Sequence, residues 1–116
     1  INYQVGDFHG AKFADRSFEV ITAISVIEHG FQQEILAAEM ARLLRPGGMF
    51  IASFDYSTEK IATKGVDMFG MSWTIFSRED VEEFLAVARR HGLEPFGPLA
   101  FEAKDKPISC LGRDYT

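Results

Sequence analysis

Apolar and polar residues change rhythm several times along the chain, and each change predicts an element. Ile1–Asp7 alternates Ile, Tyr and Val with Asn, Gln and Gly, then reaches Gly6-Asp7, the pattern of a short strand ending in a turn. His9–Arg16 reads as loop. Phe18–Ser25 is β-branched and nearly all apolar, which predicts a strand buried on both faces, as in a parallel sheet. Over Phe31–Leu44, Phe31, Ile35, Met40, Leu43 and Leu44 recur at helical spacing, and Arg45-Pro46-Gly47-Gly48 stops that helix. Met49–Tyr56 is the next apolar strand. Ser57–Phe76 has no clean period, and a loop of that length in a compact domain is usually functional or mobile.

A second helix opens at Ser77. Ser77 and Asp80 have capping-box spacing, in which hydroxyl and carboxylate satisfy otherwise orphaned N–H groups. Val81, Phe84, Leu85 and Ala88 form its expected buried stripe, Arg89, Arg90 and His91 its last turn, and Gly92 its stop. Leu93–Lys104 and Pro107–Arg113 read as closing strands, with prolines blurring their limits. Strands alternating with helices predict an α/β layered fold with a mostly parallel sheet.

Composition adds that this is a single globular unit: 116 residues, 47% hydrophobic, 25% charged, with 11 Phe for a core. The net charge of −5 and scattered basic residues exclude a nucleic-acid backbone as the expected partner. Cys110 is alone, so no intrachain disulfide forms, which fits a reducing, cytoplasmic compartment. No apolar run reaches the ~18 residues of a membrane helix, so no membrane partner is expected.

Several chemistries lack their motifs. There is no G-x-G-x-x-G, no G-x-x-x-x-G-K-[ST] and no G-x-S-x-G. Pro46-Gly47-Gly48 lies between helix and strand, whereas a phosphate cradle needs strand, glycines, then helix. His9, His29 and His91 show no metal-ligand spacing.

What remains is an ordered constellation: Gly6-Asp7-Phe8 after a strand, then Phe18-Glu19-Val20-Ile21, then Ser25-Val26-Ile27-Glu28-His29, then Leu43-Leu44-Arg45-Pro46-Gly47-Gly48. It resembles the later part of class I S-adenosylmethionine-dependent methyltransferases, in their broad small-molecule (type 11-like) group. Glu19 departs from that group's usual Asp. Trp73–Ser77 and His91-Gly92-Leu93 extend the resemblance loosely. It implies a Rossmann-like three-layer sandwich, S-adenosylmethionine as cofactor, and methyl transfer to a small molecule or glycan.

The resemblance also implies roles. Ligands in such sheets lie beyond the carboxyl ends of the strands. Asp7 would accept from the adenine amino group, with the Phe8 N–H on a ring nitrogen; the competing reading is a plain Asx turn. Ile24, Ser25 and Val26 would line the methionine and sulfonium, or simply pack the strand. His29 is the candidate base or orienter of an acceptor hydroxyl, or merely pins the loop to the following helix. Glu28, in I-S-V-I-E-H-G, also resembles the bicarbonate-holding Glu of cyclopropane-fatty-acid-type synthases. Met68, Phe69, Met71 and Trp73 read as an acceptor lid or as a satellite core.

The family's glycine-rich loop and the acidic residue after its second strand have no counterpart here. The chain therefore reads as the C-terminal portion of one methyltransferase domain, residues 1–116, with family strands one and two missing. The alternatives are that a second chain or a swapped homodimer supplies them, or that the chain is a non-catalytic interaction module. On this reading the 116 residues alone bind S-adenosylmethionine weakly.

Overall fold

A computed structural model describes residues 2–102 and the backbone of 108–110 and 113–115. Strand β1 (Phe18–Ile24) leads to helix α1 (Gln33–Leu43), and β2 (Leu44–Ser53) returns beside β1 in parallel register, with Val20 opposite Met49 and Ile24 opposite Ser53. This is the expected α/β unit with a parallel sheet. The short β3 (Asp67–Met68) and β4 (Met71–Ser72) form a hairpin, α2 (Arg78–Arg90) follows, and β5 (Ile108–Cys110) and β6 (Arg113–Tyr115) pair antiparallel.

The core lies between one face of the parallel pair and the two helices. Ile27, Leu36, Met40, Leu43 and Phe76 are its buried centre, packed by Phe18, Ile21, Phe50, Phe54 and Phe84. Phe31 and Phe54 both meet the Phe76 ring, at 4.8 and 4.6 Å between centroids. The opposite face carries Val20, Ile24, Met49 and Ile51, all exposed. Among the described residues the architecture therefore has two layers where three were expected, and β1 is buried on one face, not both.

Three further expectations are corrected. Residues 2–7 form no strand: Tyr3 is 88% exposed and Val5 fully so, because no strand among the described residues takes up their backbone groups or buries their side chains. The Pro-Gly-Gly stop is not a turn before β2 but a bulge within it. Pairing jumps from Phe18–Leu44 to Val20–Met49, and Gly47 adopts φ +79° to absorb the extra residues. Residues 93–102 hold no strand, and the span expected as one strand at 107–113 instead contributes β5 and begins β6. The rest of these two closing segments lies outside the described residues.

Helix α2 follows its sequence closely. The Ser77 hydroxyl accepts from the Asp80 amide and the Asp80 carboxylate accepts from the Ser77 amide, closing the capping box. At the other end Leu93 N–H reaches the Ala88 carbonyl and Gly92 N–H the Arg89 carbonyl, both at 3.0 Å, with Gly92 at φ +82°. Val87 and Ala88 are its buried residues, while Val81, Phe84 and Leu85 are half-buried. No helix among the described residues is long and apolar enough to cross a membrane.

Candidate functional site

A cleft of about 740 Å³ opens at the carboxyl end of β1, lined by Asp7, Phe8, His9, Ser25, Val26 and His29 among others. Its walls come from separate stretches of chain. One is the 3-10 turn Phe8–Gly10, one the segment leaving β1, one the approach to α1. The fourth is the β3–β4 hairpin, through Phe69 and Met71. Asp7, Phe8, Ser25, Val26 and His29 were singled out in the sequence, and the fold brings them together. Ile24 is not brought in; its side chain lies on the exposed sheet face.

Asp7 caps the 3-10 turn. Its Oδ1 accepts from the His9 amide at 2.9 Å and faces the His9 Nδ1 at 3.1 Å. The His9 amide, helped by the imidazole, holds the Asp7 carboxyl below its ordinary range. The Asx turn and a ligand role are thus compatible, since both contacts fall on one oxygen. The same turn also borders a neighbouring cleft of about 620 Å³ formed with Asn2, Val5 and Phe13.

Ser25 sits at φ +49°, left-handed backbone that a non-glycine residue adopts only at a cost. Its amide is anchored to the Ser53 carbonyl and hydroxyl, at 3.0 and 3.1 Å. Strand β2 therefore fixes the strained turn by which the chain leaves β1 for the cleft. Because that amide is engaged, Ser25 offers a ligand its carbonyl and hydroxyl.

His29 is held from both sides. Gly30 N–H reaches the Ser72 carbonyl at 2.8 Å and Thr74 N–H the Glu28 carbonyl at 2.9 Å, so His29 pairs with Trp73. Its ring meets Phe69 edge-on at 5.5 Å, and its Nδ1 is buried without a partner among the described residues. The backbone is pinned to the Trp73 segment, not to the following helix as expected, and the ring is left in the cleft wall.

The neighbouring Glu28 is 2% exposed, with Oε2 unpartnered among the described residues. Burial, reinforced by the nearby Asp55, raises its carboxyl above the ordinary value. Asp55 in turn accepts from the Trp73 indole N–H at 2.9 Å.

The expected lid divides. Trp73 is buried with Ile61 and Ile75 in a satellite core, whereas Phe69, 84% exposed, and Met71 stand at the cleft. Phe69 and Gly70 have φ +56° and +77°, the pair of positive values that a tight hairpin needs. A separate cleft of about 690 Å³, which shares Gln32 with the first, is lined by Lys60, Lys64, Asp80 and Glu83, and of the expected residues it holds only Trp73. Among the described residues no group of three or more His, Cys, Asp or Glu is arranged to hold a metal ion.

The cleft lining that precedes β3 falls within a stretch that matches a known family. Residues 1–52 match the family described as methyltransferase domain. In that stretch the chain is similar to methyltransferases. It is similar to the methyltransferase GfsG of Streptomyces halstedii, 29% identical over 129 residues, covering 98% of this chain and 46% of that protein. It is also similar to a dimethylglycine N-methyltransferase of Parasynechococcus marenigrum, 28% identical over 108 residues, covering 93% of this chain and 36% of that protein. The chain thus spans less than half the length of these curated relatives. The match includes Asp7, Phe8, Ser25, Val26 and His29, and ends inside β2, before the β3–β4 hairpin.

Sequence reasoning missed two features. His9 lines the cleft, and its only signal was the Asp-x-His spacing of an Asx turn. The β3–β4 hairpin was signalled only by Phe69-Gly70 between Met68 and Met71.

Proposed function

We propose that this chain carries the adenine- and acceptor-facing part of an S-adenosylmethionine-dependent methyltransferase, acting on a small molecule or glycan as part of a longer chain in a reducing, cytoplasmic compartment. The observation that carries the reading is the convergence of Asp7, Phe8, Ser25, Val26 and His29 on one cleft at a strand's carboxyl end. When bound, S-adenosylmethionine supplies a methyl group made electrophilic by its sulfonium.

The residues present fit that ligand. Asp7 offers a charged acceptor to an adenine amino group, held low enough to stay ionised at neutral pH. Phe8 and Val26 supply apolar wall, and Ser25, on the strained turn, adds a carbonyl and a hydroxyl to it. On the acceptor side, His29 offers its imidazole to a hydroxyl or amine. Phe69 and Met71 cover that side with apolar surface, which excludes water and holds the acceptor in line.

The test is calorimetric titration of the full-length protein with S-adenosylhomocysteine, followed by Asp7→Asn and His29→Ala. Asp7→Asn is expected to weaken binding by about 10-fold, the loss of one charge-assisted hydrogen bond. His29→Ala is expected to leave that affinity within about 2-fold and to lower methyl transfer by about 100-fold. Unchanged binding in Asp7→Asn would sink the assignment of the adenine side.

A further inference from the structure

His9 belongs to none of the four motifs, yet it is the residue that fixes Asp7. Two donors of this one residue reach the same atom: its amide lies 2.9 Å and its Nδ1 3.1 Å from Asp7 Oδ1. Two contacts on one oxygen set the rotation of the carboxylate. They leave Oδ2, on a side chain 75% exposed in the cleft wall, as the oxygen with no partner among the described residues.

The imidazole is itself fixed. Its side chain is 13% exposed, and the Phe8 ring stacks on it at 4.2 Å and 28°. Its Nε2 is buried with no hydrogen-bond partner among the described residues. A proton there would be a buried donor without an acceptor, whereas a proton on Nδ1 meets a carboxylate. The tautomer that the surroundings select is the one that donates to Asp7.

We propose that His9 is a positioning residue of the cleft: its Nδ1–H pins Asp7 Oδ1 and so presents Oδ2 to a donor on the ligand, the exocyclic amino group of an adenine ring. The ligand half of this inference rests on the function proposed above; the pinning half does not.

Three variants of the full-length protein separate the possibilities. His9→Asn keeps a donor where Nδ1 stands, His9→Gln places its amide where Nε2 stands, and His9→Ala removes both. The backbone contact survives in all three. S-adenosylhomocysteine affinity by calorimetry is expected to fall about 3- to 10-fold in His9→Ala and His9→Gln and to stay within about 2-fold in His9→Asn. Titration of the Asp7 carboxyl carbon by NMR, without ligand, is expected to move up toward the ordinary carboxylate value in His9→Ala and stay low in His9→Asn.

Both readings unchanged in His9→Ala, with a native amide spectrum, would overturn the proposal. Loss of binding in His9→Asn but not in His9→Gln would overturn it too, since the role would then lie on Nε2. A parent protein that binds no S-adenosylhomocysteine overturns the function proposed for the cleft, and with it the ligand half. The Asp7 titration then decides the pinning alone.

Discussion

Two adjacent glycines in the β2 bulge do different work. A Cβ on Gly48 would meet the Arg45 carbonyl at 2.9 Å, the Glu19 carbonyl at 3.0 Å and Leu44 Cδ2 at 3.1 Å. Two of those neighbours are backbone of the paired strands and cannot step aside. Gly47 has open space around it, and its φ of +79° is the whole constraint. Gly48→Ala is therefore expected to destabilise by about 2–3 kcal/mol through overpacking, against about 1 kcal/mol for Gly47→Ala from left-handed strain. Urea denaturation of the two variants checks the order; equal losses would mean the bulge relaxes around a Cβ.

Glu28 sets a second contrast at this scale. Its folded-state carboxyl titrates above the ordinary value because it is buried, with Asp55 adding repulsion. Ionising it in the fold is thus unfavourable, so its cost is absent below the ordinary carboxyl range and grows as pH rises through it toward the raised folded value. Glu28→Gln is expected to stabilise the protein by about 1 kcal/mol at neutral pH, and the gain is expected to vanish in mild acid. A gain independent of pH would show that packing, not charge, is responsible.

At the scale of elements, helix α2 is anchored at its start. Asp80 closes the capping box and also pairs with Lys60 from the preceding loop. Burial pushes the Asp80 carboxyl up, but Lys60 and Ser77 outweigh that and hold it below its ordinary value. Ser77→Ala is expected to cost about 1 kcal/mol, read as a lower midpoint in urea with an unchanged slope. The cap was legible because it is local, two residues three apart before an amphipathic run. So were β1, α1 and β2, whose periods are written in consecutive residues and whose limits move by only a few positions in the fold.

What was not legible depends on neighbours distant in sequence. Tyr3 and Val5 alternate like a strand, but alternation becomes a strand only when another strand takes up the backbone, and none among the described residues does. The bulge at Arg45–Gly48 looked like a turn because the register shift that absorbs it belongs to Phe18 and Val20. In the site, Asp7, Ser25 and His29 announced themselves through motif order. His9 acts through a ring orientation that spacing alone does not reveal.

At the scale of the whole molecule, the cleft depends on a knot some distance behind it. Arg42 on α1 donates to the Phe13 and Ala11 carbonyls at 2.8 and 2.9 Å and to Asp15 at 2.7 Å. It also grips Glu39, whose Oε1 accepts the Ala11 amide at 2.9 Å. One guanidinium thus fastens residues 11–15 to the helix, and with them the turn that carries Asp7 and His9. A lysine cannot reproduce this: its three donors share one point, whereas the guanidinium spreads five over a plane.

Arg42→Lys is expected to free the Ala11 amide, with hydrogen exchange faster by about 10-fold, while amides of α2 keep their rates. Arg42 holds the Glu39 carboxyl below its ordinary value. The knot's contribution is therefore complete above the ordinary carboxyl range and is lost as pH falls through the lowered folded value. Ala11 exchange in the parent, corrected for its intrinsic pH dependence, is expected to rise in that acid window and to approach the Arg42→Lys rate. An Ala11 amide equally protected in both proteins would show that the segment is held by Phe8 and Ala11 packing on the core. The wall of the cleft would then be built by apolar contact, with the ion pairs incidental to it.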